Sequence, residues 1–102
     1  MLPIRWQPFE AIFEDDYSTK SDVYSFGALC WELFNQGEQP FFGIPDSTVT
    51  EKLQSQELKL LPPKNAPPKI SNMLNNCTSY NPRERPTFSS IAISLEEALK
   101  DI

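Results

Sequence analysis

Apolar residues recur along this chain at spacings of three and four, and no alternation of apolar and polar positions lasts more than a few residues. The strongest stretch places Val23, Phe26, Gly27, Cys30, Leu33 and Phe34 on one stripe, while Ala28, Leu29 and Trp31 fill other faces. It predicts a helix over about 19–36 that is apolar almost all round and belongs in the middle of a domain. Ser18 or Thr19 caps its start, Asp22 adds negative charge to its first turn, and Gly37 and Pro40 bring it to an end.

Three more helices are expected. One covers about 47–56, with Val49 and Leu53 inward, and one covers 69–78, with Ile70, Met73, Leu74 and Cys77 on one face. The last covers 87–101, where Thr87 caps a stripe of Phe88, Ile91, Ala92, Leu95, Ala98 and Leu99 opposite Glu96 and Glu97. Residues 1–10 read as an extended loop carrying Pro3 and Pro8, with a single helical turn over 9–13. Pro62, Pro63, Pro67 and Pro68 bracket a rigid connector, and Pro82 and Pro86 should stop any helix between them. The fold class is all-α, a helical array with long connections.

Composition narrows the function classes. With 102 residues, 39% hydrophobic and 12% aromatic, the chain fits one packed domain rather than a disordered segment. A net charge of -5 argues against nucleic acid as a partner, because phosphate contacts require a basic surface. No run approaches the roughly 20 apolar residues of a membrane span, so no direct membrane insertion by this segment is expected. Cys30 and Cys77 fall on apolar helix faces and are expected to be free thiols in a reducing, cytoplasmic compartment. Asn76-Cys77-Thr78 matches a glycosylation sequon, but that pattern is weak at a helix end. Tyr17, Tyr24 and Tyr80 read as packing or surface residues rather than regulatory ones. There is no histidine, and the glycines at 27, 37 and 43 have no phosphate-loop spacing. Metal, serine-triad and phosphoryl-transfer chemistry all lack their residues in this chain, so no catalytic residue and no cofactor is assigned to it.

Three strings, in this order, carry a resemblance. They are Leu2-Pro3-Ile4-Arg5-Trp6-Gln7-Pro8-Phe9-Glu10, Lys20-Ser21-Asp22-Val23-Tyr24-Ser25-Phe26-Gly27, and Arg83-Glu84-Arg85-Pro86-Thr87-Phe88. Together they resemble the C-terminal, helical lobe of a tyrosine-protein kinase domain, from Leu2 to about Leu99. The resemblance implies an incomplete kinase-like fold whose N-lobe and catalytic loop, with the His-Arg-Asp and Asp-Phe-Gly motifs, lie outside this chain. An intact active parent would use ATP and magnesium to phosphorylate protein tyrosines in receptor signalling. The alternative is a pseudokinase lobe that serves as a scaffold. Either way the implied partners are a protein substrate or signalling protein and the rest of a kinase domain.

Residue by residue, the resemblance makes Leu2, Pro3, Ile4, Arg5 and Trp6 a shelf for the acceptor tyrosine. The plainer alternative is that Pro3 and Trp6 shape a loop and fill a core. Glu10 matches a glutamate that pairs with a late arginine, here Arg85, and a bidentate ion pair is expected. Asp22 matches a residue that holds the catalytic loop, although a first-turn dipole partner explains it equally well. Leu29 and Leu33 match the support of an apolar column beneath the adenine. Phe9, Tyr24 and Thr78 depart from the family's residues and suggest a divergent member. The strings are similar to receptor types of the Trk, Ror and muscle-specific groups, and to the catalytically deficient off-track group. This implies a cytoplasmic segment of a single-pass receptor. Met1 occupies a place where such receptors carry an internal methionine, so a start further upstream is expected. Without its upstream elements the helix from about Ser21 should leave apolar surface bare, making the isolated chain marginal or aggregation-prone.

Overall fold

A computed structural model of the protein describes residues 3–100. All regular structure among them is helical. Five α-helices follow in order: α1 (Phe9–Phe13), α2 (Thr19–Phe34), α3 (Asp46–Gln54), α4 (Pro68–Cys77) and α5 (Phe88–Lys100), with short 3₁₀ turns at Ile4–Trp6 and Pro82–Glu84. The turn at 82–84 forms where the prolines were expected to forbid one. Pro82 occupies its first position, where the fixed φ is suitable and no N–H is needed, and Asn81 Oδ1 accepts from Arg83 N–H at 3.0 Å.

α2 is the central element. Ser18 caps it: its hydroxyl accepts from Lys20 N–H at 3.1 Å while its own N–H donates to Ser21 Oγ at 3.2 Å. The helix stops at Phe34, two residues short of the expected end, because the chain reverses at Gln36 (φ 59°) and Gly37 (φ 81°). Gly37 N–H then returns to Glu32 O at 2.9 Å. α3 ends by the same device, with Gln56 at φ 59° and Glu57 N–H on Lys52 O at 2.9 Å. Gly37 takes a left-handed φ as expected, but Gln36 takes one ahead of it and ends α2 early, while at α3 Gln56 does so with no glycine present, so the sequence rule put the first helix end too late and the second past Gln54.

Two apolar clusters form on different sides of α2. On one side Val23 packs with Ile70, Met73, Leu74 and Cys77 of α4 and Ile91 of α5, with Phe26, Cys30 and Phe34 at the edge. On the other, Tyr24 and Ala28 pack with Phe41, Val49, Leu53 and Leu60. Gly27 sits at the crossing of α2 and α4: a Cβ there would lie 2.7 Å from Cys77 Cβ, so only glycine allows this approach. Both cysteines are free, and burial pushes the Cys77 thiol up to about 11. The expected stripe of α5 is only partly covered. Ile91 is buried and Ala98 partly so, but Phe88, Ala92, Leu95 and Leu99 are exposed, because α4 packs on only one side of α5.

Candidate functional site

The site is built from the segment that leads into α1. Trp6 N–H and Gln7 N–H close the first turn on Pro3 O and Ile4 O, both at 3.1 Å, and the chain then extends through Gln7 and Pro8. This geometry separates the shelf residues. Pro3 is exposed and Ile4 half-buried, and both line a cleft of about 590 Å³ with Gln7, Ala11 and Tyr17. The cleft runs on into a cavity of about 460 Å³ toward the start of α2, where Ser21, Asp22 and Ser25 join the wall. Leu2 lies outside the described residues.

Arg5 and Trp6 turn away from the cleft. Arg5 is 6% exposed. Its Nη1 donates to Pro40 O (3.0 Å) and Phe41 O (2.8 Å), and its Nη2 to Ile44 O (2.6 Å). Nε and Nη2 both reach Asp46 Oδ1, at 3.0 and 2.7 Å. All three guanidinium nitrogens are therefore occupied inside the protein. Trp6 Nε1 donates to Glu32 Oε1 at 3.1 Å, fastening the segment to α2. Arg5 thus acts here as the hub of the 40–46 loop, and of the expected shelf residues Pro3 and Ile4 are the ones that line the cleft. Loop carbonyls carry no mark in a sequence, which is why this hub was missed. The loop itself is held in an unusual path, with Phe41 at φ 60°.

Behind the cleft, Glu10 and Arg85 form a bidentate pair: Nη1 to Oε2 at 2.7 Å and Nη2 to Oε1 at 3.0 Å. Ser21 Oγ also donates to Oε2, at 3.1 Å. Arg85 further donates to Ser79 O (2.8 Å), Lys20 O (3.0 Å) and Tyr80 O (3.3 Å), and its guanidinium lies 5.2 Å from the centre of the Tyr24 ring. Burial pushes the Glu10 carboxyl up, but the hydrogen bonds and charge of Arg85, with a backbone bond and Ser21, bring it below its ordinary value. Burial likewise raises the Tyr24 phenol. A single side chain at position 85 therefore joins α1, the start of α2 and the segment between α4 and α5.

Asp22 is exposed at the mouth of the cavity, in the first turn of α2. Leu29 and Leu33 lie apart from it, on the face of α2 that neither cluster covers, and are 50% and 71% exposed. Sequence reasoning also overlooked Lys59, whose ammonium bonds Asn75 O, Thr78 O and Thr78 Oγ1 at 2.9–3.1 Å and closes the end of α4. A lone lysine inside the apolar run Leu58–Leu61 was the signal for it. Burial pushes its amine below the ordinary value.

The sequence pattern of the family described as protein tyrosine and serine/threonine kinase matches residues 1–95. The chain belongs to that family. It is 42% identical over 100 residues to inactive tyrosine-protein kinase 7 of Gallus gallus, covering 98% of this chain and 10% of that protein. It is 40% identical over 102 residues to the tyrosine-protein kinase-like otk of Drosophila willistoni, covering 99% of this chain and 10% of otk. It is 35% identical over 100 residues to the mast/stem cell growth factor receptor Kit of Gallus gallus, again 98% and 10%. The chain thus spans about a tenth of the length of the relatives it matches. The all-helical architecture described above is that of the C-terminal part of a kinase domain. No described helix is long and apolar enough to cross a membrane.

Proposed function

We propose that this kinase-family segment works by binding proteins, as part of a receptor-type domain that does not itself transfer phosphate, on the cytoplasmic side of a membrane. The observation that carries this reading is the 42% identity to a relative named inactive. Phe9 and Thr78, which depart from the family's residues, add support. The chain's own residues would supply a packed platform: Arg5 and Arg85 fix two loops rigidly, and the cleft between Pro3 and Asp22 offers apolar walls with an acidic mouth. Rigid elements of this kind present a surface with little entropy left to lose on binding.

A second reading is favoured by the Pro3-Ile4-Arg5-Trp6 string and the 35% identity to Kit: an intact parent that phosphorylates tyrosines. ATP and magnesium enter only there. By the resemblance, the residues that would hold them belong to the N-lobe and catalytic loop of such a parent. The test is to express the longest product that contains this segment and follow γ-phosphate transfer from Mg-ATP to a tyrosine-containing copolymer. No transfer, with no Mg-ATP-dependent rise in Tm, supports the binding role. Transfer that is lost when the nucleotide is omitted supports the enzyme.

A further inference from the structure

We propose that Tyr17 is a phosphoacceptor for a separate tyrosine kinase, one that reads acidic residues on the N-terminal side of its target. The inference stands whether or not this domain transfers phosphate itself.

The three tyrosines differ sharply in access. Tyr24 is 6% exposed, beneath the Arg85 guanidinium. Tyr80 is half-buried and its hydroxyl donates to Leu58 O. Tyr17 is 57% exposed, and among the described residues its hydroxyl has no hydrogen-bond partner. Only this phenol can reach the γ-phosphate of a nucleotide held by another protein without opening a core.

The backbone around it is suited to the same event. α1 ends as Asp15 takes φ 50°, and residues 15–18 have no regular structure. Asp16 N–H is tied to Glu10 O at 3.0 Å, but no backbone hydrogen bond of Tyr17 is found among the described residues. Ser18 is already extended, at φ -148° and ψ 178°. A kinase cleft that takes a short extended stretch therefore has little helix or ladder to unmake here.

Charge completes the argument. Glu14, Asp15 and Asp16 immediately precede the tyrosine and are all exposed. The nearest basic side chain downstream, Lys20, is turned inward and donates to Arg85 O. A phosphoryl-transfer site holds magnesium and basic groups around its nucleotide, so an acidic approach segment is steered toward it. In the transfer, Tyr17 Oη bonds to the γ-phosphorus of ATP while the bond to the bridging β–γ oxygen breaks. ADP leaves, and the phenolic proton passes to a carboxylate of the acting kinase. The product adds roughly -1.5 to -2 of charge beside three carboxylates, at the edge of the cleft that Tyr17 lines. Repulsion turns the modified ring out of the cleft, where a basic phosphotyrosine-reading pocket can take it.

The experiment incubates the full chain with Mg-ATP and the catalytic domain of an acid-directed tyrosine kinase, and maps phosphate by fragmentation mass spectrometry. The expected result is phosphate on Tyr17 alone, abolished in Tyr17→Phe, with Tyr24 and Tyr80 unmodified as an internal sign that the fold is intact. The triple variant Glu14→Gln, Asp15→Asn, Asp16→Asn is expected to lower kcat/KM for Tyr17 by about tenfold. Asparagine tolerates the left-handed position at 15, so this variant keeps the turn. Phosphate spread over all three tyrosines, phosphate absent from Tyr17, or an unchanged rate in the triple variant overturns the proposal.

Discussion

Arg5 and Arg85 are both buried, both use their whole guanidinium group, and both clamp distant segments together, yet they are held by different chemistry. Arg85 faces a buried carboxylate, Glu10, and lies beside an aromatic ring. Arg5 faces three carbonyl oxygens of one loop, and its carboxylate partner among the described residues, Asp46, has a side chain 80% exposed. A buried cation can thus be satisfied by a charge or by converging backbone dipoles. The two cases differ in what removal of the arginine leaves behind. Without Arg85 a buried carboxylate is stranded; without Arg5, neutral carbonyls are, and these can take water once the loop loosens.

The sharpest test of that difference is Arg85→Met. Leaving Glu10 unpaired inside the protein is expected to cost about 3–5 kcal/mol, read as a lower urea midpoint. The double variant Glu10→Leu with Arg85→Met should recover much of that loss, because it removes the stranded charge as well. An additive double variant would break the distinction between the two clamps. Arg5→Met comes next, at about 1–3 kcal/mol, with the loss concentrated in faster amide exchange through residues 40–46. Exchange that rises equally across α4 would show that Arg5 is not a local hub.

Acid separates the clamps further. Glu10 holds its proton less tightly in the folded protein than in the unfolded chain, so its pairing contributes stability above the ordinary value of 4.5. That contribution is lost as pH falls from there through the lower folded value. The urea midpoint should therefore drop below about pH 4.5, and Glu10→Gln should flatten that part of the profile. Asp46→Ala is a smaller change, about 0.5 kcal/mol, since an exposed partner is already screened by water. Smallest of all, Gln36→Gly should gain a few tenths of a kcal/mol, because glycine takes φ 59° without the Cβ penalty that glutamine carries. A loss there would mean that the glutamine side chain has a role of its own.

Part of the candidate site is legible in the order of residues alone. The apolar face of α4, with Ile70, Met73, Leu74 and Cys77, is set by local spacing and is buried as spacing demands. Pairing of Glu10 with Arg85 across 75 residues is visible only through resemblance, since no periodicity links such positions. The stripes of α2 and α5 are legible as stripes but not as burial. Leu33 and Leu99 belong to them by spacing and yet are exposed, because burial depends on what lies opposite.

The sequence by itself determined that the chain is helical, that Ser18 caps α2 and which side chains are present, because these follow from near-neighbour geometry and from the order of residues. Tertiary structure alone decided that Arg5 faces inward, that Gly27 brings α2 against Cys77, and that Tyr17, unlike the other two tyrosines, stands open to solvent. Each of those outcomes depends on backbone carbonyls, Cβ positions and covering residues contributed by segments far away in the chain, and no local pattern records them.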